Sequence, residues 1–81
     1  MMATKLVNMD KLTHAAERDA WLWLEDAAPD YADGVSDAVR NGADANTVYR
    51  HVQRQVGLHR EALALRCKLA AAYLIRTLAE V

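Results

Sequence analysis

The chain has 81 residues, of which 53% are apolar and 26% charged, and its net charge is −1. That length supports one domain at most, and that balance excludes an intrinsically disordered chain. It also excludes a protein that holds nucleic acid by bulk charge alone; shape and specific contacts would be needed as well.

Alanine is abundant, proline occurs once and phenylalanine is absent, a composition that favours helix. The reading is an all-α single domain of four helices over residues 10–81, preceded by an N-terminal tail, 1–9. Helix 1 is expected from about Lys11 to Ala27, with Asp10 as its N-cap. Its apolar stripe is Leu12, Ala16, Ala20, Trp23, Leu24 and Ala27. Trp21 points away from that stripe and is read as partly buried or as a partner anchor.

Pro29 ends helix 1 and suits the first turn of the next. Helix 2 is expected from about Asp30 to Asn41, with Val35, Ala38 and Val39 on one face. Gly34 weakens its first half. Gly42 suits the left-handed position that closes a helix. Helix 3 follows Asp44, its N-cap, and runs to about Gln55 with Val48, Val52 and Val56 as its buried edge. Gly57 ends it. Helix 4 is expected from about His59 to Glu80, with two apolar stripes. One is Leu58, Ala62, Leu65, Leu69 and Ala72; the other is Leu63, Cys67, Ala70, Leu74 and Leu78. So broad an arc exceeds what three short helices cover. The excess reads as a homodimer or partner surface containing Trp21, Leu65, Leu69, Tyr73 and Leu74.

Helices 2 and 3 together read as a helix-turn-helix over about residues 35–56. Gly42 supplies the sharp turn, and the small Ala38 allows close approach. In such a motif the second helix enters the major groove. Arg50 can pair with guanine, and Asn46 and Gln53 with adenine. Arg40, Thr47, Tyr49, His51 and Arg54 are candidates for phosphate contacts. Charge supports this placement. Residues 1–35 hold three Lys/Arg against seven Asp/Glu, whereas residues 36–81 hold seven against four.

The run from Ala38 to Val52 resembles the helix-turn-helix of bacterial repressors. Thr47, Val48, Tyr49, His51 and Val52 are similar to the end of the recognition helix in the tetracycline-repressor family. The run is also similar to the lactose-repressor and resolvase headpieces. The pattern departs at Asp37, Ala43 and Val52. The resemblance implies a bacterial DNA-binding protein, with Tyr49 and His51 near the DNA backbone.

The remaining chemistry is sparse. Cys67 is the only cysteine, so it reads as a small buried residue or, alternatively, as an intermolecular disulfide. His14, His51, His59 and Cys67 lack metal-ligand spacing, and no cofactor or catalytic group is expected. The acidic residues Glu17, Asp19, Glu25, Asp26, Asp30 and Asp33 read as a solvated face. No run of residues has signal-peptide or membrane-span character, so a cytoplasmic protein is expected. Two functions fit: a small transcriptional regulator, bacterial or phage, acting on DNA as a homodimer, or a helical protein-interaction module such as an adaptor, an inhibitor, or an antitoxin-like or phage-encoded partner of a host protein.

Overall fold

A computed structural model of the chain describes residues 2–57 and 60–80, with side chains for 13–57 and 60–79. The sequence expectations for Leu12, Leu58 and His59 lie outside the described side chains. Four helices follow in order: α1 (Met2–Ala27), α2 (Pro29–Arg40), α3 (Ala45–Val56) and α4 (Glu61–Glu80). The fold is all-α.

Helix α1 starts at Met2 rather than near Lys11, which places Asp10 inside the helix instead of at its cap. Residues 2–10 contain neither Gly nor Pro. Extending a formed helix adds a hydrogen bond for each residue fixed, so nothing there stops it from running back. At the other end, Ala28 separates α1 from α2, and Pro29 occupies the first turn of α2. Its missing N–H costs nothing at that position. Gly34 does not delay α2. Burial of Ala32 and Val35 outweighs the roughly 1 kcal/mol that glycine costs a helix interior.

The α2–α3 connection is closed by local hydrogen bonds. Gly42 has φ +92°. Its N–H donates to the Val39 carbonyl at 3.0 Å, and the Ala43 N–H donates to the Ala38 carbonyl at 3.0 Å. These two bonds make a Schellman motif. The Asp44 side chain then accepts from the Thr47 N–H at 2.8 Å and caps α3. Gly57, at φ 76°, closes α3.

Helices α1 and α4 pack antiparallel: Arg76 meets Glu17, while Arg66 lies over Trp23. Helix α2 rests on both of them, and α3 rests on α4. The core is built from small side chains, among them Leu24, Val35, Val39, Val48, Val52, Ala64, Cys67 and Ala71. Leu24 and Cys67 are its largest fully enclosed side chains.

Trp23 leaves its expected core stripe, while Trp21 is partly buried, which is one of the two readings given for it. Trp21 packs against the core, whereas Trp23 is 39% exposed. Position 24 sets the face that α1 turns to α4, and Trp23 lies beside that face under the Arg66 guanidinium, 4.1 Å from the ring centroid. A cation over an indole face is attracted to it, which keeps Trp23 at the rim. Of the two α4 stripes, the one with Leu63, Cys67, Ala70 and Leu74 enters the core. Leu65 remains 45% exposed and Leu78 56% exposed.

Candidate functional site

Helix α3 divides the expected DNA-contact residues among three edges. Its inner edge, Val48 and Val52, is buried. On the side towards α4, the Tyr49 hydroxyl donates to Glu61 Oε1 at 2.8 Å, and Gln53 Nε2 donates to that same hydroxyl at 3.4 Å. The Lys68 ammonium stands 5.6 Å from the Tyr49 ring centroid. The hydrogen bond to the Glu61 carboxylate, then burial, then the Glu61 charge raise the Tyr49 pKa. Tyr49 and Gln53 are thus engaged within the chain. Proximity to α4 explains this: Glu61 starts that helix, and α3 lies along it.

Away from α4, Asn46, Arg50 and Arg54 are exposed at i, i+4 and i+8. Arg40, at the end of α2, is also exposed. None of these cations forms a salt bridge with another described residue. The Arg50 charge does reach the cap. Asp44 has a lowered pKa, first through its hydrogen bonds from Thr47 and more weakly through Arg50.

The third edge faces α2. Thr47, His51 and Gln55 line a groove opposite Asp30, Tyr31 and Gly34. Val35, Ala38, Ala43, Val48 and Val52 give it an apolar floor, and its volume is about 650 Å³. Helices α2 and α3 make their main contacts with α4, and α2 also with α1, rather than with each other. The close helix-on-helix packing expected around Ala38 is therefore replaced by this groove. Thr47 and His51 belong to it. The sequence reading missed Tyr31, Gly34 and Gln55. A usable signal was present, because Tyr31, Val35 and Ala38 recur at helical spacing on α2.

The expected partner surface also divides. Trp21 and Leu74 pack against the core. Leu65 is exposed, and Leu69 and Tyr73 are half-buried. A separate polar cluster ties α1 to α4. Glu17 is 5% exposed, and Arg76 Nη2 donates to its Oε2 at 3.1 Å. Arg76 also donates to His14 Nε2. Glu17 Oε1 is buried without a hydrogen-bond partner among the described residues. Burial pushes the Cys67 thiol up to about 11. Among the described residues no group of three or more His, Cys, Asp and Glu is placed to hold a metal, and no helix is long and apolar enough to cross a membrane.

Comparison with known proteins returns no match to a family model, a curated protein or a solved structure.

Proposed function

We propose that this chain is a helical protein-interaction module that receives an apolar helical surface in the α2–α3 groove. The observation that carries this reading is the groove itself: an apolar floor with Asp30, Thr47, His51 and Gln55 at its margins. A concave apolar surface with a few placed polar groups is the usual form of a binding site, and helices commonly dock into such grooves. Both walls are 12-residue helices, each about 18 Å long, so the groove accommodates about three helical turns.

A helical peptide as long as α2, with a leucine stripe and lysine flanks, provides the test. Titrated into the labelled protein, it is expected to shift the amide resonances of Tyr31, Ala38, Val48 and His51. Gly34→Leu is expected to abolish those shifts. A titration that leaves the groove resonances unmoved rejects this function.

The exposed row Asn46, Arg50 and Arg54 favours a second reading, in which a homodimer binds DNA and α3 enters the major groove. Asn46 and Arg50 would then read bases, while Arg40 and Arg54 would hold phosphates. Fluorescence anisotropy with random-sequence duplex DNA at low salt tests it. Loss of one phosphate contact in Arg54→Ala is expected to reduce the salt slope by about 1. An absence of binding at low salt removes this reading.

A further inference from the structure

We infer that the helix received by the α2–α3 groove belongs to a partner protein and has a basic end. Its apolar stripe terminates in lysine or arginine, and that end lies at Asp30. This rests on reading the groove as a docking surface and names the chemistry and direction of its partner.

Chain order gives the groove two unlike ends. At one end residues 41–44 join the walls, and Ala38, Ala43 and Thr47 are the lining residues nearest that turn. At the other end the walls are free. Asp30 stands ten residues before Arg40, where α2 ends, and Gln55 ten residues after Ala45, where α3 starts. Each span is about 15 Å. Asp30, Tyr31 and Gln55 therefore line the open end, and Val35, Val48 and Val52 floor the stretch between.

Charge then tells the two ends apart. Asp30 is the one carboxylate among the lining residues, and no lysine or arginine lines the groove. It is exposed and forms no salt bridge with another described residue. The α1–α2 junction around it, from Glu25 to Asp33, holds four carboxylates and no Lys or Arg. All four are exposed. Glu25, Asp26 and Asp33 do not line the groove, but their field adds to that of Asp30 at its open end. Arg54 stands outside the lining, on the outer edge of α3, so a cation is drawn to the α2 side. Opposite charge there steers a partner and fixes its register. The Tyr31 ring lines the same end, and aromatic faces attract cations. Towards the turn the lining is small, with Ala38 and Ala43, and admits aliphatic side chains.

A leucine-striped helical peptide as long as α2, with lysines at its C-terminal end only, tests the inference on the full chain. A nitroxide placed beside the lysines is expected to broaden the amide resonances of Tyr31 and Gln55. Placed at the apolar end, it is expected to broaden those of Ala38 and Ala43. Asp30→Asn is expected to weaken binding by about two- to fivefold, the scale of an exposed ion pair. Exchanging the lysines for glutamine is expected to weaken it by a similar factor, with no further loss when the two changes are combined. Three results overturn the inference: broadening that ignores which end is labelled, a glutamine peptide that binds as tightly, or an Asp30→Asn chain that binds as tightly. In each of these the groove stands as a docking surface and only the partner's basic end is wrong. If no peptide moves the groove resonances, the docking surface and this inference fall together.

Discussion

Asp44 illustrates how one side chain fixes a local structure and a pH response together. Its carboxylate accepts from the Thr47 N–H, and that bond lowers its pKa in the folded chain. A depressed folded pKa contributes stability above the unfolded value of about 3.9, and the contribution is lost as pH falls through the lowered folded value. Asp44→Ala is expected to lower the urea midpoint at neutral pH. The gap to the wild type should close in acid, and a gap independent of pH would refute the assignment. Cys67 behaves in the opposite sense. With its thiol raised to about 11, it stays protonated at neutral pH, and its stabilising contribution is lost as pH rises through that value. Native protein is expected to resist a thiol-reactive chromophore, and to react once denatured. Rapid labelling of the native chain would show that Cys67 is not enclosed.

Among the elements, the α1–α4 pair depends most on one polar contact. Glu17 is buried and Arg76 is its charged partner. Removing that partner leaves a buried polar group unmatched, at about 1–3 kcal/mol or somewhat more for a charged group. Chemical denaturation of Arg76→Ala is expected to show a loss of that size, whereas Arg54→Ala should be nearly neutral. Several element boundaries were legible in the sequence, and each has a local cause. Pro29, Gly42, Asp44 and Gly57 act through their own backbone or side-chain chemistry, so no knowledge of the rest of the chain is needed. The start of α1 was not legible, because no stop signal lies between Met2 and Lys11. The exposure of Trp23 depends on where α4 lies, and the engagement of Tyr49 depends on Glu61, which stands in the following helix. Such contacts have no signature within a single helical period.

At the scale of the whole molecule, charge is separated rather than absent. The net charge of −1 conceals acidic α1 and α2 beside a basic α3. Binding of a polyanion through the exposed Arg40, Arg50 and Arg54 is therefore expected to weaken as salt rises, because exposed charges are screened within about 10 Å at 0.1 M salt. Fluorescence anisotropy with duplex DNA across a salt series checks this, and an affinity indifferent to salt would show that these cations make no phosphate contact. The all-α class was legible from composition and periodicity. The candidate site was legible only in part. The residues of α3 were identified, but their sorting into outer, α4-facing and groove-facing edges is a property of the tertiary arrangement. The groove itself arises between two helices whose apolar faces, taken singly, look like ordinary core.

The connection between α2 and α3 has a thermodynamic consequence. Only residues 41–44 join the two helices, and the Gly42, Ala43 and Thr47 amides are all hydrogen-bonded there. The angle between the groove walls is consequently held before any partner arrives. A preorganised surface forfeits little conformational entropy on association, so the heat-capacity change on binding should track buried apolar area alone, without the larger signature of coupled folding.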